Sequence, residues 1–239
     1  MNDYTKYNEP IRTIMSYFPN NDMFRRTVAG GIDYIRSNFR RDNPYHNAYH
    51  CILVSRNALE YMDSGLSILD RTVVALSGLF HDFNHSGRPL SVSTDSRNLD
   101  KAVNGLHRFK MDCVDSSIMH IPWESVESII RSTEAVLEEG RVYFPNKPST
   151  LGRYVRDADV SMLYWIDGRD TLKGLAREMG RRYDSNFMAD SLRFFSSVEL
   201  YTEKANALRS GSKCAVDKWL DEGTHSQHTE TESADGLSA

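Results

Sequence analysis

Asp70-Arg71-Thr72-Val73-Val74-Ala75-Leu76-Ser77-Gly78-Leu79-Phe80-His81-Asp82 is an apolar run at helical spacing that ends on a histidine and an aspartate. Asp70 starts the helix, and Val73, Val74, Leu76, Leu79 and Phe80 carry it. Apolar residues flank His81 and Asp82, so the segment reads as a central, largely buried helix that delivers both side chains at its C-terminal end.

The pattern stays helical on either side. Asp22 caps a helix through Phe24, Val28, Ile32, Ile35 and Phe39, with Gly30-Gly31 weakening its middle. Asn43 before Pro44 signals a helix with proline at its first position, running through Ile52, Leu53, Leu59 and Tyr61 to Gly65. Downstream, Ser86 to Thr94 reads as a loop, Asp95 to Phe109 as a helix, and Pro122 opens an amphipathic helix that closes at Gly140. A loop to Pro148 follows, then helices over Thr150–Leu163, Asp170–Tyr183 and Phe187–Leu208. No segment alternates as a strand does. The expectation is an all-α fold: a compact multi-helix domain over 1–220 and a disordered, polar tail over 221–239.

Composition narrows the function classes. With 239 residues and 40% hydrophobic side chains, the chain is long enough to bury a core. A net charge of -4 gives no electrostatic reason to expect nucleic acid or an anionic membrane as partner. Cys51, Cys113 and Cys214 form no CxxC and read as reduced thiols of a cytoplasmic protein, and no stretch approaches a membrane span. Oligomeric state stays open.

Four of the eight histidines lie in two i, i+4 pairs, His46 with His50 and His81 with His85. On a helix such a pair projects from nearly one side. Asp82 follows His81 directly, and Asp157 and Asp159 lie further along. Imidazoles and carboxylates without thiolates suit Zn, Mn, Fe or Mg, ions that activate water, so the set points to a hydrolase.

The block Asn43-Pro44-Tyr45-His46-Asn47 with His50, followed by His81-Asp82, His85 and Gly87, resembles the catalytic signature of class I cyclic nucleotide phosphodiesterases, within the HD superfamily of metal-dependent phosphohydrolases. Ala158-Asp159-Val160-Ser161 and Ser132-Thr133-Glu134 resemble two later segments of that fold. The resemblance implies an HD-type helical domain with two divalent metal ions. His50, His81, Asp82 and Asp159 would hold the tighter ion, and Asp82 would bridge to a second, with hydroxide between them as the attacking group. His46 would protonate the leaving oxygen, and His85 would orient water at the second ion. Tyr45 and a stacking ring, Phe194 or Phe195, would contact a small-molecule nucleotide. Asp159 is preferred as ligand from the Ala158-Asp159 match, with Asp157 the alternative.

The chain departs from the family in two places. Arg88-Pro89-Leu90 stands where the family carries an asparagine, and Ser191-Leu192-Arg193-Phe194-Phe195, the place comparable to the family's purine-reading glutamine and stacking ring, holds no glutamine. Gln227, in the tail, is the chain's single glutamine. Three functions are therefore weighed: hydrolysis of a cyclic mononucleotide or cyclic oligonucleotide, an HD-type phosphomonohydrolase of linear nucleotides, and a nucleotide-binding protein without turnover. Other residues have plainer readings. His107 and His120 read as structural with a ligand role as alternative, His225 and His228 as solvated tail, and Arg88, Arg97 and Lys101 as surface charge that could reach a phosphate.

Overall fold

The computed structural model describes residues 5–19, 22–39, 43–87, 92–112, 120–138, 141–165 and 168–212. The expected tail, 221–239, lies outside them, as do Arg88, His225 and His228. Ten helices are described: α1 (Thr5–Ser16), α2 (Asp22–Asn38), α3 (Ala48–Tyr61), α4 (Ile68–Phe80), α5 (Val92–Asp112), α6 (Trp123–Ser132), α7 (Thr150–Val160), α8 (Gly168–Glu178), α9 (Ser185–Ser197) and α10 (203–212). No described helix is long and apolar enough to cross a membrane.

The all-α expectation holds, and α4 is its centre. Every residue from Thr72 to Phe80 is buried, and α4 packs against α2, α3, α6 and α7. Its N-terminus is fixed by a reciprocal cap, with Ser67 Oγ accepting from the Asp70 amide and Asp70 accepting from the Ser67 amide. That cap moves the start of the helix from Asp70 to Ile68. At the α3–α4 crossing, a Cβ at Gly78 would fall 2.7 Å from Ser55 Cα. Ser55 Oγ donates to Ala75 O at 3.0 Å beside it. Backbone meets backbone here, so the two helices approach as closely as glycine permits. Gly30 and Gly31 do not break α2; a Cβ at Gly31 would touch Leu76 and Leu79 at 3.3 Å, so the glycine lets α2 lie against α4.

A second, smaller apolar cluster joins the 162–164 turn to α8 and α9 through Leu163, Tyr164, Leu172, Ala176, Phe187 and Phe195. It holds α8 in place, which matters for the site described below.

Several boundaries differ from the sequence expectation, each for a long-range reason. Thr5–Ser16 is helical although no helix was expected there, and it buries Ile14. The helix expected to run to Gly140 stops at Ser132, and an antiparallel hairpin of β1 (Val136–Glu138) and β2 (Arg141–Tyr143) follows, which corrects the reading that no strand occurs. Buried Arg156 donates to the carbonyls of Ser132 and Asn146, so α7 ties down both flanks of the hairpin. α5 begins at Val92 rather than Asp95. The helix expected over 187–208 is broken between α9 and α10, because Asp157 accepts the Tyr201 and Thr202 amides at 2.9 and 2.7 Å.

Gly78→Ala is expected to destabilise the fold by about 1–3 kcal/mol through overpacking at the crossing, although alanine is the better helix former. Urea unfolding measures the sign directly.

Candidate metal centre

The chain enters α3 through a bent, non-helical stretch, and helix begins only at Ala48. Asn47 is the N-cap, with φ -133 and ψ 178, and its side chain accepts from the amides of Tyr49 and His50. His46 therefore precedes the helix that carries His50. The other pair is split in the same way, since His81 is the C-cap residue of α4 and His85 lies beyond a turn in which Asn84 has φ 58. Neither pair is a helical i, i+4 pair, which corrects the local geometry expected from spacing.

Tertiary structure nevertheless brings the four together with two aspartates. His50 Nε2 lies 3.2 Å from His81 Nε2, 3.4 Å from Asp82 Oδ2 and 3.3 Å from Asp159 Oδ1. His81 Nε2 lies 3.1 Å from Asp82 Oδ2 and 3.6 Å from Asp159 Oδ1. These spacings suit a shared ion: donors about 2.0–2.1 Å from one centre in a tetrahedron are about 3.3–3.4 Å apart. The imidazoles form a buried floor, 3% and 1% exposed, while Asp82 and Asp159 keep 18% and 23% of their side chains open to solvent. His81 Nδ1 donates to Gly78 O at 2.8 Å, which leaves Nε2 as the ligating nitrogen. His50, His81, Asp82 and Asp159 could hold a metal ion.

Electrostatics agree with a cation-seeking site. Burial alone would raise the Asp82 and Asp159 carboxyls, but the surrounding histidines hold both below the usual carboxylate range. Burial opposes charge on His81, yet Asp82 and Asp159 outweigh it and push its pKa well up. Without an ion, a proton on His81 offsets the two carboxylates.

A second group borders the first: His46, His85 and Glu178. Glu178, on α8, accepts from the amides of Tyr45 and His46, each at 2.9 Å, through Oε2, and takes a short hydrogen bond from His46 Nδ1 through Oε1. His46 Nε2 then faces the cluster, 3.6 Å from Asp82 Oδ2. The His85 ring lies 3.8 Å from that of His46, and His85 Nδ1 accepts from the Gly87 amide at 3.1 Å. Burial and the neighbouring His46 lower the His85 pKa to about 3. Burial would also lower His46, but Asp82 and Glu178 overcome it and raise its pKa. The two rings are thus pushed apart, His85 toward the neutral form and His46 toward the charged one. The group could also hold an ion, and the Glu178 bond to His46 Nδ1 equally fits it to hold a proton.

Other expected residues are placed as follows. The Tyr45 ring lies 4.5 Å from the His46 ring and 4.7 Å from the His50 ring. Phe195 is buried in the smaller apolar cluster, with Phe194 half-buried against both clusters. Asp159, not Asp157, is in the four-donor cluster; Asp157 is fully buried and accepts the amides that lead into α10. His107 pairs with Glu127 at 3.0 Å, and His120 is exposed; neither is among the grouped residues. Lys101 reaches Asn98 Oδ1 at 3.5 Å, and Arg97 is exposed. Glu134 accepts from Asn146 at 3.1 Å.

Glu178 went unforeseen. Its neighbours Arg177, Arg181 and Arg182 make it look like one charge on a solvated helix. The helix expected over Asp170–Tyr183 puts it in the interior; only in the structure is it the last residue of α8, where the helix dipole disfavours an acid.

The helical domain and its His/Asp cluster are compatible with an HD-type fold. No protein-family model matches the chain, and no curated protein matches it in sequence.

Asp159→Ala should abolish tight binding of a divalent ion. Asp157→Ala should leave binding intact while costing about 1.5–3 kcal/mol of stability, since it removes hydrogen bonds to a buried carboxylate. Loading an ion near neutral pH should release a proton from His81, whose pKa is raised in the ion-free site, so affinity should fall as pH falls. Calorimetry in buffers of different ionisation enthalpy counts that proton.

Proposed function

We propose that this protein is a metal-dependent phosphodiesterase that opens a cyclic nucleotide, a 3′,5′-cyclic mononucleotide or a cyclic oligonucleotide. The observation that carries the reading is His46, fixed through Nδ1 by Glu178 and presenting Nε2 toward the four-donor cluster.

The cluster residues His50, His81, Asp82 and Asp159 would hold one divalent ion, and a second sharing Asp82 belongs to the same reading. Bound there, a divalent ion would supply a Lewis acid for phosphoryl oxygen and lower the pKa of water. The remaining chemistry lies with the chain. A 3′-alkoxide is a strongly basic leaving group and needs a proton as the P–O bond breaks. His46, whose pKa is raised, carries that proton on Nε2, and the Glu178 carboxylate stabilises the imidazolium and fixes the ring. His85 stays neutral beside it, so the pair holds one proton rather than two. The partly exposed Asp82 and Asp159 edges mark the side from which a phosphate would approach.

A second reading, hydrolysis of a linear nucleotide phosphomonoester, is favoured by the α9 segment. The segment 191–195 carries no base-reading amide, and Phe195 is committed to the apolar cluster. A substrate panel separates the two readings. Turnover of cyclic nucleotides with Mn, Mg or Zn supports the first. Inorganic phosphate or triphosphate released from linear nucleotides alone supports the second. No turnover of any member by the metal-loaded protein rejects both.

For the first reading, His46→Ala should lower kcat by about 10²–10⁴-fold with metal content unchanged. Asp82→Ala should lose both metal and activity.

A further inference from the structure

α8 meets the stretch before α3 through two residues one turn apart. Gly174 and Glu178 lie four positions apart on α8, so they share nearly one side of it. Glu178 takes the Tyr45 and His46 amides. Gly174 lies against the carbonyl of Pro44: a Cβ there would fall 2.9 Å from Pro44 O and 3.7 Å from Tyr45 Cα. Real Cβ atoms do not approach backbone oxygen so closely, and a backbone carbonyl cannot swing aside as a flexible side chain would. Gly174 also lines, with Pro44, Tyr45 and His50, a pocket of about 130 Å³ between α8 and the start of α3.

Glycine is disfavoured inside a helix relative to alanine, and α8 has only 11 residues. Its φ is not in the left-handed region, so no backbone conformation calls for glycine there. The close approach does.

We propose that Gly174 is a positioning residue for His46: its missing side chain lets α8 come near enough to Pro44 for Glu178 to hold the Tyr45 and His46 amides and the His46 ring. Any side chain at 174 pushes α8 outward. The carboxylate then withdraws from His46, while the four-donor cluster, built from α3, α4 and α7, stays whole. The catalytic consequence rests on His46 being the proton donor proposed above.

Two readouts on the full-length protein test this. The first is amide hydrogen exchange by NMR. In Gly174→Ala, the Tyr45 and His46 amides should exchange about tenfold faster or more, with those of α3 and α4 unchanged. The second is leaving-group dependence. Turnover of a cyclic nucleotide should fall by on the order of tenfold to a hundredfold, mainly in kcat, because small displacements of a catalytic group are costly. A p-nitrophenyl phosphodiester, whose leaving group needs no proton, should lose less than about threefold. Lys173→Ala, which leaves the Gly174 contact alone, should change neither readout. Unchanged exchange at Tyr45 and His46, or a uniform increase across α3 and α4, overturns the proposal, as does an equal loss on both substrates. Glu178→Asp withdraws the carboxylate by one methylene without adding a Cβ at 174. It should reproduce both effects, and if Gly174→Ala does not fold, a normal result in Glu178→Asp overturns the proposal. If the metal-loaded wild type opens no phosphodiester, the proposed function fails, and the exchange experiment still decides the role of Gly174.

Discussion

Two imidazoles 3.2 Å apart, each 3.1–3.6 Å from two carboxylates, need positive charge among them. Burial makes isolated charge costly, so Asp82 and Asp159 keep their charge only because cationic character faces them. A proton on His81 supplies it in the ion-free protein, and a divalent ion would supply more. The scaffold is organised around this constraint. α4 carries His81 and Asp82 through the centre of the core, with α3 bringing His50 from one side and α7 bringing Asp159.

The backbone contacts behind the site are as close as side chains allow. The crossing of α3 and α4 at Gly78 sets where His50 and His81 can meet, and the His81 ring is tied to the Gly78 carbonyl at 2.8 Å. Arg156, on the α7 helix that bears Asp159, anchors the end of α6 and the loop after the hairpin. Asp157, two residues before Asp159, anchors the approach to α10. Arg156 and Asp157 are thus structural, and Asp159 is the α7 carboxylate that faces the cluster.

Much of this was legible in sequence where local pattern and tertiary role agree. The apolar spacing of α2, α4 and α6 marks helices because each packs on one stripe, and the order of His50, His81, Asp82 and Asp159 marks a donor set because few other uses need those groups together. Legibility failed where a distant group captures the backbone. Asn43-Pro44 looks like a helix start, yet Glu178 holds the Tyr45 and His46 amides and Asn47 caps the helix instead. The segment 187–208 looks like one helix, yet Asp157 captures two amides in its middle. Val136, Val142 and Tyr143 form a hairpin that the amphipathic pattern of α6 hid.

The sequence by itself determined the helical class and the chemical types available to the site: hard oxygen and imidazole donors, and a histidine beside them. Those follow from side-chain chemistry and from periods of a few residues, which the chain carries locally. The preference for Asp159 over Asp157 came from the resemblance, and tertiary structure brings Asp159 into the cluster. Tertiary structure alone decided that His46 and His50 meet from different backbone conformations and that Glu178, 132 residues from His46, completes the proton-holding pair. Nothing local encodes these choices, because each depends on a hydrogen bond between elements whose approach is set by packing elsewhere in the core.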